Sequence, residues 1–285
     1  MRGQYELTML LEIAGLSKQI YYYHVKRGRT EDKDAKIKAV IMDIFARNYE
    51  KYGSPRITIA LRKAGYHVNH KKVERLMQEL GIQARVKARK YRSYKGDVGR
   101  IAPNILEQEF TTTRCYEKLG TDVTVFIGRF GKVYFSPIID FHSREILAYN
   151  TSVSPDYRQI AGMLKALEKD HGGQIKAAII QSDQGWQYQM EKYRLKLREL
   201  GLIQSMSRKG NCLDNSPTEN LFGRMKEEMF YGKEDKYETS DDLIEEIDEY
   251  VYYYNHYRIV NRLKMSPLEF KEMDQIKREC YTGGS

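Results

Sequence analysis

Apolar positions in the first third of the chain recur at helical spacing. One apolar stripe at spacings i, i+3, i+4, i+7 and i+8 covers residues 37–45, and a second stripe covers residues 73–80. Asn69 can cap the second helix, and a turn at residues 52–55 precedes a shorter helix between the two stripes. We therefore predict a small all-α domain of helix-turn-helix type over residues 31–82.

Residues 1–30 form a separate N-terminal helical segment in this interpretation. Apolar side chains between residues 7 and 13 predict a short helix, and the run from Leu16 to Tyr23 is similar to the turn and second helix of a helix-turn-helix half. The alternative is a packing helix that carries tyrosines on its face. Spacing alone leaves both interpretations open.

From about residue 115 the pattern changes to short β-prone runs, followed by alternating helices and strands. The predicted elements are strands at 120–126, 132–139 and 145–153, a helix from Asp156, a strand at 177–181, a helix at 190–200, a strand at 202–205, a helix that carries Glu219 and a helix at 241–254. Such a series predicts an α/β fold with a mixed five-stranded sheet and flanking helices. We assign residues 114–275 to this core and residues 276–285 to a tail.

Residues 83–113 form a basic linker between the two predicted domains. Its cationic side chains include Arg85, Lys87, Arg89, Lys90 and Arg92. Tyr91 and Tyr94 lie among them, and the stretch shows no hydrophobic periodicity. Lysines and arginines on a tether can follow a phosphate backbone, and tyrosines can stack on bases. The alternative is a hinge that contacts no ligand.

The charge of the chain is unevenly divided. Of the formal net charge of +9, residues 1–110 carry +11 and the remaining residues carry −2. A basic front half joined to a near-neutral body is typical of a nucleic-acid-binding arm on a catalytic domain. Lys71, Lys72 and Arg75 on the last helix of the front domain suit insertion into a major groove. The alternative for these three residues is an ordinary solvated face.

Cysteine spacing and hydropathy indicate the cellular compartment in which the protein is expected. Cys115, Cys212 and Cys280 are widely spaced and follow no metal-ligand pattern, which favours a reducing interior. No apolar run reaches the ~20 residues that a membrane helix needs, and the N-terminus lacks a signal-peptide pattern. We expect a bacterial, cytoplasmic and nucleoid-associated protein with no membrane partner.

Three acidic residues occupy positions that suit metal-dependent chemistry. Asp122 lies in the first β-prone run, Asp183 follows the apolar strand, and Glu219 lies in a helix 35 intervening residues later. Ligand sites in open α/β sheets lie beyond the carboxyl ends of strands, and Mg²⁺ prefers charged oxygen ligands. Each acid also has a plain alternative: an exposed edge-strand position, a turn aspartate and a capping box at residues 216–219.

Several motifs in combination resemble those of a known family. They are Gly120–Thr124, Asp140–Ile146, Ser182–Gly185, Gln187–Tyr188, Ser205–Cys212, Asp214–Glu219, Lys226, Tyr254–Asn255, Arg258 and Ser266–Pro267. The chain resembles the second reading frame of bacterial insertion sequences of the IS-three family, whose transposases share the ribonuclease-H-like integrase core of retroviruses. The resemblance runs from about residue 35 to 270, and residues 52–81 are similar to the helical DNA-binding segment of that family.

The resemblance implies that Asp122, Asp183 and Glu219 are the metal-binding acids of the D,D-35-E class. It also implies that Lys226 contacts the transposon end near the scissile phosphate, and that the protein acts as a homodimer or larger assembly on paired ends. Leu119–Gly120 stands where a nearby tryptophan is expected, a departure that concerns packing. The family's upstream frame has no evident counterpart, so we expect the second frame alone or a truncated fusion product, with the upstream-frame protein as a candidate partner.

The combined expectation is a DNA transposase that binds terminal inverted repeats and catalyses 3′-end cleavage and strand transfer into target DNA. Two Mg²⁺ ions, replaceable by Mn²⁺, would hold the attacking and leaving oxygens. Arg208, Lys209 and Lys226 would hold phosphates near the metals, and Asn215 would supply a polar contact. Two alternatives stay open: a ribonuclease-H-like nuclease that needs no front domain, and a non-catalytic DNA-binding regulator or domesticated remnant.

Overall fold

The front part of the chain is all-α. The computed structural model describes residues 6–29, 32–84, 100–208 and 212–282. The first five helices are α1 (Leu7–Ile13), α2 (Lys18–Arg29), α3 (Ala35–Arg47), α4 (Ser54–Lys63) and α5 (His70–Glu79). The backbone N–H of Lys72 donates to Oδ1 of Asn69 at 2.7 Å, so the predicted cap is present. The apolar stripes of α3 and α5 share one core with α4, which confirms the predicted helical domain.

The body of the chain is a mixed sheet. Its strands are β1 (Lys118–Thr121), β2 (Thr124–Gly128), β3 (Gly131–Asp140), β4 (Ile146–Ser152), β5 (Ile179–Ser182) and β6 (Ile203–Met206). β3 is antiparallel to β4, to β1 and to β2, whereas β1, β5 and β6 run parallel. The α/β fold with a mixed sheet is therefore confirmed, although six strand segments stand where five strands were predicted.

The sixth segment results from an interruption at Asp122. Thr121 pairs with Ile138 in β3, and Thr124 pairs with Phe135, so β1 and β2 keep one continuous register along β3. This register places Pro137, which has no N–H to donate, opposite Asp122. β1 and β2 are thus one strand whose ladder is broken at the residue that the sequence analysis singled out.

Helices cover both faces of the sheet. They are α6 (Tyr157–His171), α7 (Trp186–Gln189), α8 (Glu191–Glu199), α9 (Ser216–Met225), α10 (Ser240–His256) and α11 (Pro267–Thr282). Apolar residues of α6 and α8 pack on one face, and those of α9 and α10 pack on the other. α11 runs through residue 275, where the sequence analysis placed the boundary between core and tail. None of the helices within the described residues is long and apolar enough to span a bilayer.

The helical domain is joined to the sheet domain by direct contacts. Ile259, from the segment after α10, is 5% exposed and packs in the core of α3, α4 and α5. Its backbone N–H donates to the Tyr52 hydroxyl at 2.7 Å. The Tyr253 hydroxyl of α10 donates to Oδ1 of Asn48 at 2.9 Å. The two domains therefore share a buried interface at the carboxyl end of α10.

Candidate active site

Asp122 is a buried acid directly after β1. It is 7% exposed, and the backbone N–H of Val123 donates to its Oδ1 at 2.7 Å. Burial raises the pKa of Asp122 well above its usual range, and the charges of Asp183 and Glu219 raise it further. The Val123 hydrogen bond and the charge of Lys226 act in the opposite direction. Asp122 is therefore not the exposed edge-strand residue of the plain alternative.

Asp183 lies directly after β5, the parallel neighbour of β1. Lys118 to Gly120 pair with Ile179 to Gln181, so the carboxyl ends of the two strands lie side by side. The backbone N–H of Gly185 donates to Oδ1 of Asp183 at 2.8 Å, as in an ordinary aspartate turn. Burial raises the pKa of Asp183. Asp183 thus shapes a local turn and also lies beside Asp122 at the sheet edge.

Glu219 lies in the first turn of α9. The residue before the helix is Asn215, and among the described residues its side chain makes no capping hydrogen bond. The capping box suggested for residues 216–219 is therefore not the observed arrangement. Burial raises the pKa of Glu219, and the charge of Asp183 raises it further. Glu219 is thus the third member of a group of like charges.

A glycine in β1 brings α9 to this group. A Cβ atom on Gly120 would lie 2.4 Å from Cε1 of Phe141 and 2.5 Å from Oγ1 of Thr218. Only a residue without a side chain fits, because such distances are below any normal contact. Gly120 belongs to a motif of the sequence, but no role was predicted for it. Its signal was a glycine inside a strand, which often marks a close approach of another element.

The three carboxylates offer the type of ligand atom that hard divalent cations prefer, although their oxygens do not all lie within 4.8 Å of one another. They come from the ends of two parallel strands and from one helix, and each has a raised pKa. Repulsion between carboxylates contributes to the rise at Asp122 and at Glu219, and a cation would offset that repulsion by supplying positive charge. Carboxylate oxygens are the donors that Mg²⁺ and Mn²⁺ prefer. The residues present therefore fit the predicted metals.

Lys226 stands beside the acids but donates within the protein. Its Nζ donates to the carbonyl oxygen of Val125 at 2.7 Å and lies 5.1 Å from the centroid of the Phe126 ring. Burial lowers its pKa to about 8, although the charge of Asp122 opposes this change. Lys226 is therefore a partly desolvated ammonium next to Asp122 and β2.

Arg208 and Asn215 have structural partners near the same edge. Nη2 of Arg208 lies 2.9 Å from Oδ1 of Asp214, which is buried, and the Arg208 side chain is 61% exposed. Nδ2 of Asn215 donates to the carbonyl oxygen of Thr121 at 3.4 Å. Oδ1 of Asn215 is buried and has no hydrogen-bond partner among the described residues. Asp214 belongs to a motif of the sequence, but it was not predicted to pair with Arg208.

The basic residues of α5 belong to an ion-pair network. Lys72 and Arg75 lie 2.7 and 3.0 Å from the two carboxylate oxygens of Asp34, and Arg75 also pairs with Glu79. Lys71 is exposed. The remaining predicted DNA contacts fall outside the described residues; they are Arg85, Lys87, Arg89, Lys90, Arg92 and Lys209.

A second group of metal-ligand types lies away from the three acids. Cys115, His142 and Asp274 each place one ligand atom within 4.8 Å of the others, although the cysteine spacing in sequence showed no such pattern. Burial raises the pKa of the Cys115 thiol to about 12, so the thiol keeps its proton at neutral pH. Nε of Arg278 donates to Asp274 at 2.7 Å. Because an arginine already neutralises the carboxylate, we assign no metal to this group.

Comparison with known proteins supports the fold and the class. Residues 31–90 match the model of the HTH-like domain, and residues 113–212 and 219–274 match two integrase core domain models. Over 98% of both chains, the protein is 40% identical to the putative transposase InsK for insertion sequence element IS150 of Escherichia coli K12. An uncharacterized transposase-like protein of Haemophilus influenzae is 49% identical over 75% of this chain and 98% of its own.

Solved integrase structures are also similar to this chain. The catalytic core domain of HTLV-2 integrase, determined in complex with magnesium, aligns with a TM-score of 0.44 and 14% identity, over 55% of this chain and 97% of its own.

An HTH-like domain followed by an integrase core defines the class of protein: a DNA-binding polynucleotidyl transferase of the DDE type. Within that class, the chain belongs to the IS-three family of insertion-sequence transposases.

Proposed function

We propose that this transposase binds the terminal inverted repeats of an insertion sequence and catalyses metal-dependent 3′-end cleavage and strand transfer at Asp122, Asp183 and Glu219. One observation carries the proposal: Asp122 and Asp183 follow two adjacent parallel strands, Glu219 lies in the first turn of α9, and the charges of Asp183 and Glu219 both raise the pKa of Asp122. Repulsion between buried carboxylates destabilises a fold unless a ligand offsets it. Strongly shifted pKa values of this kind cluster at functional sites.

The three carboxylates would hold two Mg²⁺ ions, with Mn²⁺ as a substitute. Bound there, the ions would supply Lewis acidity at the attacking oxygen and at the leaving 3′-oxygen. Asp122 and Asp183 would flank both positions because their strands end side by side, and Glu219 would complete one of them.

The basic residues near the site would orient the DNA. Lys226, with a pKa of about 8, is cationic at neutral pH and would approach a phosphate near the scissile bond. Arg208 has an exposed guanidinium anchored on Asp214, so it is pre-oriented for a phosphate. Asn215 would supply a further polar contact at the same edge, and Lys209, which follows Arg208 in the sequence, would also contact DNA.

The front half would bind the transposon end outside the active site. Exposed Lys71, with Lys72 and Arg75 released from Asp34, would contact phosphates beside the major groove. Arg85, Lys87, Arg89, Lys90 and Arg92 would follow the backbone between the two domains. We propose that a homodimer or larger assembly holds paired ends, and that an upstream-frame protein is a further partner.

The test compares Glu219→Gln with Glu191→Gln on labelled DNA that carries the candidate end. Both glutamates lie in the first turn of a helix, but Glu191 is exposed on α8. The wild type and Glu191→Gln should cleave and join strands with Mg²⁺ or Mn²⁺, and Glu219→Gln should lose at least about 10²-fold in rate, as when a transition-state charge partner is removed.

Each other outcome identifies an alternative. Equal rates for all three proteins would remove Glu219 from the site. Cleavage without preference for the end sequence would indicate a ribonuclease-H-like nuclease. Metal-independent end binding with no product from any protein would indicate a DNA-binding regulator or a requirement for the upstream frame.

A further inference from the structure

The helix that carries Glu219 does not end as an ordinary α-helix. α9 continues into a π-helical turn, Lys226–Phe230, closed by a hydrogen bond from the Tyr231 N–H to the Lys226 carbonyl at 2.7 Å. Turns of this type are uncommon and recur at functional sites, because they re-aim the side chains that follow a helix. Here the first residue of the turn, Lys226, lies beside Asp122. The turn therefore determines the position of Lys226 relative to the active site.

Glu228, two residues later in the same turn, is buried and multiply bonded. It is 5% exposed. Its carboxylate accepts from Nε and Nη2 of Arg258 at 2.7 and 2.6 Å, and from the Tyr250 hydroxyl at 2.8 Å. Burial alone would raise the pKa of Glu228, but the charge of Arg258 and these hydrogen bonds hold it below its usual value. The turn is thus fixed to α10 and to the segment after it.

A second arginine reaches Glu228 from the other domain. Nη1 of Arg56 lies 3.6 Å from Oε1 of Glu228, and Arg56 is 7% exposed. It belongs to α4, the middle helix of the HTH-like domain. Its Nε also donates to Oδ1 of Asn261 at 3.3 Å. A buried charge of the DNA-binding domain therefore touches the turn that begins with Lys226.

We propose that Arg56 and Glu228 are positioning residues that couple the HTH-like domain to the active site through the π-helical turn. When α4 is held in place, Arg56 holds Glu228, and the turn keeps Lys226 and Glu219 at the sheet edge. Movement of the helical domain relative to the core would pull on the same turn. The expected effect on the strand-transfer rate rests on the proposed function. The expected effect on the stability of the π-helical turn does not.

The geometry offers a variant that should still fold. Arg56→Met removes the guanidinium and keeps most of the apolar stem over Tyr52, whose ring centroid lies 5.2 Å from Cζ of Arg56. Glu228 would stay paired, because Arg258 and Tyr250 supply its three shorter contacts. Lys63→Met is the matched control, since Lys63 of α4 pairs with Glu269 of α11 across the same domain boundary but on the surface.

The experiment measures three quantities on the full chain: amide hydrogen exchange over residues 219–230, affinity for end DNA, and strand-transfer rate at saturating DNA. Arg56→Met should accelerate exchange in the turn and lower the rate about tenfold, within the range of measured coupling energies, while end affinity is unchanged. Arg56→Lys should recover most of both effects, and Lys63→Met should behave as the wild type.

Three results would overturn the proposal. The first is wild-type exchange and rate in Arg56→Met. The second is an equal effect of Lys63→Met, which would indicate general loosening of the boundary. The third is lost end affinity with unchanged exchange, which would make Arg56 a DNA contact. If the wild type itself transfers no strand, the proposed function fails, but the exchange comparison still decides the coupling.

Discussion

At the scale of single residues, the site places Asp122 where the negative charges of Asp183 and Glu219 repel its own charge. Asp122 is buried among like charges, and its pKa is raised by burial, Asp183 and Glu219 in that order of importance. An acid whose folded pKa exceeds its unfolded pKa binds more protons in the folded state. Its contribution to stability is therefore greatest at low pH and is lost as pH rises through the folded pKa.

Asp122→Asn should raise the melting temperature of the metal-free protein at pH 8, because it removes the unfavourable charge and nearly keeps the shape. A gain of 1 kcal/mol corresponds to roughly 2–4 °C for a domain of this size. The gap between variant and wild type should shrink as the pH is lowered towards 5. Added Mg²⁺ should stabilise the wild type and leave the variant unchanged.

Thermal scans with and without Mg²⁺ over this pH range check the prediction. Asp170→Asn, which alters an exposed aspartate of α6, is the control and should follow the wild type at every pH. A lower melting temperature for Asp122→Asn at pH 8 would contradict the repulsion argument.

At the scale of elements, the site depends on how closely α9 approaches β1. Gly120 permits this approach, because a Cβ there would overlap the Phe141 ring and the Thr218 hydroxyl. Neither the Phe141 ring nor the Thr218 hydroxyl is the far end of a long flexible side chain that could move aside. α9 must therefore move if a side chain appears at residue 120, and Glu219 moves with it.

Gly120→Ala should destabilise the protein by about 1–3 kcal/mol, as overpacking of a core does, and should reduce strand transfer beyond the loss of folded protein. Gly223→Ala is the matched control on α9 itself. A Cβ on Gly223 meets nothing within 4 Å among the described residues, and alanine in a helix should be favourable by about 0.5–1 kcal/mol.

Denaturant unfolding and strand-transfer assays on both variants decide this point. Full activity and wild-type stability of Gly120→Ala would mean that α9 can retreat without harm to the site.

At the scale of the whole molecule, a residue of the body completes the core of the front domain. Ile259 follows α10 and packs among α3, α4 and α5. The HTH-like domain therefore does not bury its apolar face by itself. We expect the two domains to unfold together in the wild type, because each supplies part of the other's packing.

Ile259→Ala should cost about 2–5 kcal/mol through the cavity it leaves, and the front domain should then unfold at a lower temperature than the core. Differential scanning calorimetry would show two transitions in place of one. Ile276→Ala is the control, because Ile276 of α11 is 59% exposed. It should change neither the number of transitions nor the unfolding temperature. A single transition for Ile259→Ala at an unchanged temperature would contradict a shared core.

Much of the fold could be predicted because local spacing carries it. The stripes of α3 and α5 and the Asn69 cap reflect helical periodicity and backbone capping, which act within one or two turns. The strand predicted at 120–126 overlaps β1 and β2, but the prediction did not include the interruption at Asp122. The interruption lies opposite Pro137 of β3, and that juxtaposition exists only once the strands have paired.

By itself the sequence determined the all-α front domain, the α/β core and the identity of three acids worth testing, since spacing and residue type decide these. Tertiary structure alone decided that Gly120 admits α9, that Lys226 donates to Val125, and that Arg56 meets Glu228 from another domain. These contacts join residues up to 172 positions apart (Arg56 to Glu228). No local pattern encodes such pairs, because burial, repulsion and close approach exist only after distant elements have packed together.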